Sequence, residues 1–376
     1  MRLRAFLAGL AFCLPLPLAA ETGGAAEPAC AAGHALSYLC GAERPEDVIA
    51  IPGTRWLIAS GFAQGAGLKL VDTAMPRAER WFTAAPEQIA PDTRRFADCP
   101  APVDPVLFNA RGLSLRQTGP EQFELLVVNH GGRESVEVFE VLAAPDRPHL
   151  SWRGCMAMPA GQVGNSVAQF ADGTVMVTVL TRPGTTIGDF MQGKRTGAVW
   201  QWRPGDRAFS FLPGTDLPGN NGIETDPDQR RFHVVAFGWH AVVTFDRRDT
   251  RRPLARTEAP DFMPDNIHWT GDRLLLAGMR LDEPACGGLR KVENGVADPM
   301  LCHRGWVVGE MDTRAGRIAT FAYGTPEKHF NGLSAAAIAG GRLWLGSFQK
   351  DRIASVDLAQ PACKAGPGNA ESGVPC

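Results

Sequence analysis

Apolar and polar residues alternate in short runs along this chain, as they do in half-buried β-strands. The run Arg231–Ala236 is one example, and each similar run follows a triplet that begins with a polar residue and ends in Val, Leu or Ile. The other runs are Arg55–Ser60, Phe123–His130, Gly173–Val179, Arg273–Gly278 and Arg342–Ser347. The triplets are Glu46-Asp47-Val48, Arg111-Gly112-Leu113, Asn165-Ser166-Val167, Asn221-Gly222-Ile223, Asp265-Asn266-Ile267 and Asn331-Gly332-Leu333.

The triplets recur at intervals of about 44 to 66 residues, and no long helical pattern separates them. A further strand-like run follows in every repeat. These third runs are Gly67–Val71, Glu134–Glu140, Ala198–Trp202, Ala241–Asp246, Trp306–Asp312 and Arg352–Leu358. Repeats of this length, made of strands and turns, are typical of radially arranged blades. The sequence therefore predicts an all-β fold, a six-bladed β-propeller with four-stranded blades.

Residues 1–20 have the pattern of a secretory signal peptide, with Arg2 and Arg4 before a short apolar run that ends in small residues. A membrane anchor is the alternative, but Pro15 and Pro17 interrupt a run already shorter than the roughly 20 residues that a span needs. We expect residues 21–376 to form one propeller domain. The predicted location is periplasmic or secreted, with no membrane span.

Composition excludes one class of partner. The formal net charge is -2 and the pI is near 6.5, so the chain has no basic surface that would indicate nucleic-acid binding. Forty-two Gly and 29 Pro suit a fold with many turns. Nothing in the sequence specifies an oligomeric state.

Nine cysteines include Cys13 in the signal segment, which leaves eight in an oxidising compartment, where disulfides are favoured. Equivalent places in neighbouring repeats predict the pair Cys99–Cys155. An insertion in the fifth repeat predicts the pair Cys286–Cys302, for which a zinc site with His303 is the alternative. The remaining cysteines are Cys30 and Cys40 near the start, and Cys363 and Cys376 near the end. We expect at least one bridge between these two groups, such as Cys40–Cys363, to lock the ring.

Several segments resemble the paraoxonase/arylesterase family. They are FNARGLSLRQTGPEQFELLVVNHGGRESVEV from Phe108 to Val138, then NNGIETDPD, PDNIHWTGDRLLLAGM and GRLWLGSFQKDRIASVDL, in the family's order. A looser similarity extends to the gluconolactonase and senescence-marker-protein group. The resemblance covers residues 38 to 358, and it implies a calcium ion in the central channel.

The calcium ligands that the resemblance implies occupy the first or second position of the triplets. They are Glu46, Asn165, Asn221, Asp265 and Asn266. Two carboxylates and three amides form a suitable oxygen set for Ca²⁺, although the same residues could instead only hydrogen-bond one another. A second, structural ion would involve Asp47 and the carbonyl of Leu113. Its third ligand is an aspartate in the family, and Ser166 stands there in this chain, which puts the second ion in doubt.

The catalytic residues of the family are only partly retained. His130 matches one member of the histidine pair that the resemblance implies as base and orienter. Arg111 stands at the other member, and Arg280 replaces a further histidine. Arginine stays protonated near neutral pH, so neither can act as a base. His130 could also be a buried histidine with a purely structural role, and the chain has no G-x-S-x-G motif.

Two functions are compatible with this pattern. The first is a calcium-dependent hydrolase of lactones or other carboxylic esters, with water activated by the metal, His130 or Glu46. In that case Arg111 and Arg280 would bind an anionic substrate group, or else pair with channel carboxylates. The second is a non-catalytic secreted propeller that uses calcium structurally and its rim for binding.

Overall fold

The structure, a computed structural model, describes Cys30, residues 35–144 and residues 146–359. The segment predicted as a signal peptide lies outside these residues. Six four-stranded antiparallel sheets and one two-stranded hairpin account for all the strands of the described chain. The all-β fold, the six blades and the four strands per blade are therefore as the sequence predicts.

Strand β1 (Ser37–Cys40) comes first in the chain but belongs to the last blade. Apart from β1, the strands of every blade follow chain order from the innermost strand outward. Blade 1 contains β2 (Val48–Ala50), β3 (Trp56–Ala59), β4 (Lys69–Asp72) and β5 (Arg77–Arg80). Blade 2 contains β6 (Ala110–Gly119), β7 (Gln122–Asn129), β8 (Ser135–Leu142) and β9 (His149–Ala157). Blade 3 contains β10 (Val167–Gln169), β11 (Val175–Val179), β12 (Ala198–Trp202) and β13 (Ser210–Phe211).

The fifth blade differs from the others because an insertion divides it. Blade 4 contains β14 (Asn220–Thr225), β15 (Arg231–Ala236), β16 (Ala241–Asp246) and β17 (Ala255–Glu258). Blade 5 contains β18 (Phe262–Thr270), β19 (Arg273–Arg280), β22 (Trp306–Asp312) and β23 (Arg317–Gly324), with the hairpin β20 (Val292–Glu293) and β21 (Val296–Ala297) inserted after β19. Blade 6 contains β24 (Leu333–Ala339), β25 (Arg342–Ser347), β26 (Arg352–Asp357) and β1.

Helices are short and lie in the connections between strands. The α-helix α1 (Ile187–Met191) begins after Thr186, whose side chain forms a capping box with Asp189. Three 3-10 turns span Pro86–Gln88, Phe237–Trp239 and Pro284–Cys286. None of the described helices is long and apolar enough to cross a membrane.

The innermost strands contact one another around the ring, and glycines in the triplets permit the approach. A Cβ at Gly112 would lie 2.6 Å from the carbonyl oxygen of Asn165, and a Cβ at Gly222 would lie 2.6 Å from that of Asp265. Both distances are shorter than any real contact, so a side chain there would force neighbouring blades apart. Asn221-Gly222 is therefore a point of close packing inside β14 rather than a turn.

Apolar side chains fill the layers between neighbouring blades. Between blades 1 and 2, for example, Phe82 makes edge contacts with Phe108 and Phe139 at ring distances of 5.8 and 5.1 Å. All three are fully buried. The alternating strand pattern seen in the sequence therefore places one face of each sheet against the next blade.

The ring is closed by hydrogen bonding between its two ends. Strand β1 pairs antiparallel with β26, with Ser37 opposite Ser355 and Cys40 opposite Arg352. The last blade thus takes its outermost strand from the N-terminal side of the described chain.

The disulfides match the prediction in two cases and differ in the third. Cys99 pairs with Cys155, and Cys286 pairs with Cys302, so those two sulfurs are bonded to each other and do not form the alternative zinc site. Cys40, however, pairs with Cys30. The predicted bridge from this pair to the C-terminal cysteines, such as Cys40–Cys363, is wrong because Cys30 lies within reach of β1 itself, with 5.7 Å between the Cα atoms. Cys363 and Cys376 lie outside the described residues.

We expect closure to depend on β1. A protein that begins at Gly41 lacks the outermost strand of blade 6 and exposes the edge of β26, so it should melt at a lower temperature and aggregate. Calorimetry and size-exclusion chromatography would measure both effects. The matched control begins at Leu36, carries Cys40→Ser and keeps β1. Equal melting temperatures for the two proteins would show that β1 contributes nothing to closure.

Candidate functional site

A small cavity of about 160 Å³ opens at the ring axis, and its floor is polar. Glu46, Asn165, Asn221 and Asp265 form that floor. Around them the wall is largely apolar, and it consists of Phe62, Leu180, Ile187, Phe190, Phe237, Met279, Met300 and Phe348, with Arg290 as its charged member. Four of the five predicted calcium ligands therefore meet at one place.

The inner strands determine how these side chains reach the axis. Glu46 and Asn165 lie just ahead of β2 and β10, each separated from its strand by one residue, whereas Asn221 and Asp265 lie where β14 and β18 shift register against their neighbours. Such bulges turn side chains out of the regular pleat. Asn266, the fifth predicted ligand, follows Asp265, and its Nδ2 donates a hydrogen bond to the carbonyl of Glu46 at 3.3 Å.

Two buried carboxyl groups face each other at this floor. Burial raises the pKa of Glu46, and the nearby Arg111 and His130 oppose the increase. The pKa of Asp265 lies well above its usual range because of burial and the charge of Glu46, although a hydrogen bond from Asn221 opposes it. The positive charges near Glu46 therefore compensate the two carboxylates only in part.

The floor also contains polar atoms that have no hydrogen-bond partner. Oδ1 of Asn221 and Oε2 of Glu46 are both buried and both lack one. Buried acceptors normally have partners, so such atoms indicate a place for a bound group. Among the described residues no three His, Cys, Asp or Glu side chains gather around one point, so any metal site here would need amide oxygens beside its two carboxylates. That mixed set suits Ca²⁺ better than softer metals.

The predicted second ion does not fit the arrangement around Asp47. Its Oδ2 accepts from the backbone N–H of Leu113 at 2.8 Å, and its Oδ1 accepts from the N–H of Val48 and lies 2.8 Å from Nε2 of His268. Leu113 thus presents its N–H to this carboxylate. Ser166, at the third predicted position, carries no charge. The donors around Asp47 take the place that a second ion would need.

His268 connects this carboxylate to a neighbouring blade. Its Nδ1 lies 3.6 Å from Oε2 of Glu224. Burial lowers the pKa of His268, but Asp47 and Glu224 outweigh it and raise the pKa to about 10. A protonated imidazole therefore links Asp47 of blade 1 to Glu224 of blade 4 beneath the cavity.

Arg111 is committed to the floor of the channel. Its Nη1 lies 3.5 Å from Oε2 of Glu46, and its guanidinium stacks 3.6 Å from the ring centre of Phe62. This is the ion pair with a channel carboxylate that the sequence analysis left as an alternative to binding an anionic substrate. Arg280 ends β19, opposite Phe262, and is not among the residues of the cavity wall.

His130 directly follows β7 and is not among the residues that line the cavity, but its charge acts on Glu46 of the floor. Its Nδ1 is 2.8 Å from Oε2 of Glu134, a contact that holds the ring in one orientation. The arrangement fits a base with a carboxylate orienter, in which Glu134 stands in for the second histidine. Sequence reasoning missed Glu134, although its i+4 spacing from His130 is visible.

The part of the cavity wall that comes from segments outside the repeats was also missed. Phe190 lies on α1, and Arg290 and Met300 lie on the insertion in blade 5. The disulfide Cys286–Cys302, which the sequence does predict, closes the base of that insertion.

No family model matches the chain, and no curated protein matches it either. Among solved structures it is similar to a luciferin-regenerating enzyme, with 11% identity, a TM-score of 0.49, and coverage of 87% of this chain and 94% of that one. An oxidoreductase described as a glucose dehydrogenase, from Thermus thermophilus, has 14% identity, a TM-score of 0.45 and coverage of 85% and 99%. Raptor from Chaetomium thermophilum has 10% identity and a TM-score of 0.46, and the match covers 89% of this chain and 30% of that one. The resemblance to paraoxonases therefore stays a prediction.

We expect His268→Leu to lower the free energy of unfolding by about 3–5 kcal/mol, because it leaves the buried Asp47 carboxylate without its cationic partner. Denaturant unfolding monitored by tryptophan fluorescence would measure the loss. The exposed His149 on β9 offers a control, since His149→Leu should change stability by less than about 0.5 kcal/mol. Equal effects of the two substitutions would contradict the linking role of His268.

Proposed function

We propose that this protein is a calcium-dependent hydrolase of lactones or other carboxylic esters. The observation that carries the proposal is the cavity, in which carboxylate and amide oxygens meet at the floor of an apolar pocket and two of those oxygens accept no hydrogen bond. Small-molecule sites commonly combine apolar walls with a few convergent polar groups. Fold alone would support many functions.

The residues that would hold the ion are Glu46, Asn165, Asn221, Asp265 and Asn266. Calcium bound there would supply a Lewis acid that polarises the substrate carbonyl and stabilises the developing oxyanion. Arg111 would help to keep Glu46 ionised, because its charge opposes the effect of burial on the pKa of that carboxyl.

Two groups of the chain are suited to accept a proton from the attacking water. His130 can do so through Nε2 while Nδ1 faces Glu134. Glu46, with its raised pKa, is the other candidate. A general base is most effective when its pKa lies near the working pH. We assign the base to His130, because Glu46 is already engaged with Arg111 and the proposed ion.

The apolar wall would bind the hydrocarbon part of the substrate. Within this wall the rings of Phe190 and Phe237 meet edge to face at 5.8 Å, and those of Phe62 and Phe348 approach to 6.1 Å. Such a wall excludes water from the floor, which strengthens electrostatic interactions there. A neutral ring or acyl chain suits this surface.

We also infer that the protein is exported. Three disulfides join residues of the described chain, and disulfides persist mainly in oxidising compartments. The pattern of residues 1–20 provides the corresponding signal.

We expect one calcium ion per protein, and its removal by a chelator should lower the melting temperature, because a ligand that binds only the folded state stabilises it by mass action. Asn221→Ala should weaken calcium binding about tenfold or more, as measured by titration calorimetry. Gln122→Ala is the control, since Gln122 is an exposed amide on β7 that does not line the cavity. Equal calcium affinities for the two variants would exclude the proposed site.

The catalytic proposal predicts turnover of at least one compound in a panel of lactones and aryl esters, and loss of that turnover with a chelator. His130→Gln should reduce kcat by about 10²–10⁴-fold, the usual contribution of general base catalysis, with little change in calcium affinity. His149→Gln should leave kcat unchanged. Tight calcium binding without any turnover would instead indicate the non-catalytic alternative, in which the ion only stabilises the ring.

A further inference from the structure

Arg290 is the one charged residue in the otherwise apolar wall of the cavity, among the residues that the structure describes. It lies on the insertion between β19 and β22, within the segment that Cys286–Cys302 closes. Neither the calcium set nor the proposed base uses it.

The contacts of Arg290 hold its guanidinium in place without neutralising it. Nε and Nη2 both donate to the carbonyl oxygen of Asp298, at 2.9 and 2.7 Å, and Nη1 lies 3.6 Å from the sulfur of Met191. A guanidinium carries five N–H groups. These contacts use at most three, so at least two remain without an acceptor in the described part of the chain.

Arg290 forms no salt bridge with a carboxylate among the described residues, although the charge of Asp298 acts on it. The Asp298 carboxylate accepts a hydrogen bond from the backbone N–H of Met300 at 2.7 Å. Arg304, which donates to the carbonyls of Leu281 and Gly288, adds a second positive charge to the insertion. Burial has the largest effect and lowers the pKa of Arg290, the charge of Asp298 opposes this decrease, and the charge of Arg304 adds to it to a smaller extent.

The insertion that carries Arg290 is held against the ring. The carbonyl of Met300 accepts hydrogen bonds from Nδ2 of Asn331 and Nε2 of Gln349, at 3.2 and 3.3 Å. On the other side Gly188 of α1 packs so closely on the hairpin that a Cβ there would lie 1.8 Å from the carbonyl oxygen of Gly295. Arg290 is therefore positioned before any ligand binds, which reduces the entropy lost on binding.

We propose that Arg290 binds a carboxylate group of the substrate, so that the preferred substrates are small lactones or esters that carry a negative charge away from the reacting carbonyl. This rests on the proposed function, whose floor would hold the carbonyl. A planar guanidinium matches the two oxygens of a carboxylate. A phosphate dianion fits less well, because Glu46 and Asp265 share the same cavity.

The size of the cavity limits the substrate further. Its volume of about 160 Å³ equals roughly five water volumes at 30 Å³ each, well below the range for drug-sized ligands. A five-membered lactone ring with one carboxylate is of suitable size. Arg111, the cation that the sequence favoured for this role, is already paired with Glu46.

The test separates binding from turnover. Tetrahydrofuran-2-carboxylate has the ring and the carboxylate but no carbonyl to hydrolyse within the ring, so titration calorimetry on calcium-loaded protein measures recognition alone. Arg290→Met should weaken its binding at least tenfold. Arg290→Lys, which keeps the charge, should retain part of the affinity, and Arg195→Met, at an exposed arginine beyond α1, should retain all of it. Failure of the wild-type protein to bind the compound, or equal binding by the wild type and Arg290→Met, would overturn the proposal.

Turnover supplies a second and independent measurement. For γ-valerolactone and its counterpart with a carboxylate in place of the methyl group, Arg290→Met should reduce kcat/KM at least tenfold for the charged lactone and less than threefold for the neutral one. Equal losses would overturn the role of Arg290 while leaving the hydrolase proposal intact. Selective binding of tetrahydrofuran-2-carboxylate without turnover of either lactone would support the role of Arg290 and overturn the hydrolase proposal. Circular dichroism and retained calcium affinity would confirm that the variants are folded.

Discussion

The close approach of six inner strands at one axis is the constraint on which the rest of this structure depends. Backbones can meet there only where side chains are absent, as at Gly112 and Gly222, or where polar side chains satisfy one another. That requirement concentrates carboxylates and amides at the buried centre of the ring. The upper group, around Glu46 and Asp265, has acceptors without a hydrogen bond, whereas in the lower group both carboxylate oxygens of Asp47 are paired with backbone N–H groups and His268. One group is thus suited to a ligand and the other to holding blades together.

Sequence reasoning succeeded where the chain repeats itself. The second and third strands of each blade are buried on both faces, so their apolar pattern is strong, and the runs Arg231–Ala236 and Trp306–Asp312 coincide with strands of the structure. The outermost strands were not predicted. Arg77–Arg80 and Ala255–Glu258 lie at exposed edges, where polar residues occupy both faces and no alternation remains.

The floor of the cavity could be named in advance because the resemblance to paraoxonases implies ligands at the triplet positions, which the repeats align with one another. Arg111 pairs with Glu46 through a contact between blades 2 and 1. The sequence around either residue does not show whether this contact forms or whether Arg111 faces a substrate. Arg290 lies in an insertion without counterparts in other repeats, so periodicity could not identify it. The Cys30–Cys40 pair shows the same limit, because the repeat gives no register for residues ahead of the first blade.

Closure by β1 has a consequence for how the chain folds. Among the described strands the first, β1, pairs with the last, β26, with Ser37 opposite Ser355, so the contact that completes the ring joins residues at nearly opposite ends of the described chain. Contacts over such separations form slowly, since a long loop must first be closed. During synthesis β1 emerges before its partner and has none until the final blade exists. The inner strands of blades 1 and 6 likewise meet only then, so the hydrogen bond that Oγ of Ser334 on β24 donates to the carbonyl of Glu46, at 2.7 Å, joins blade 6 to the cavity floor only once that blade has formed.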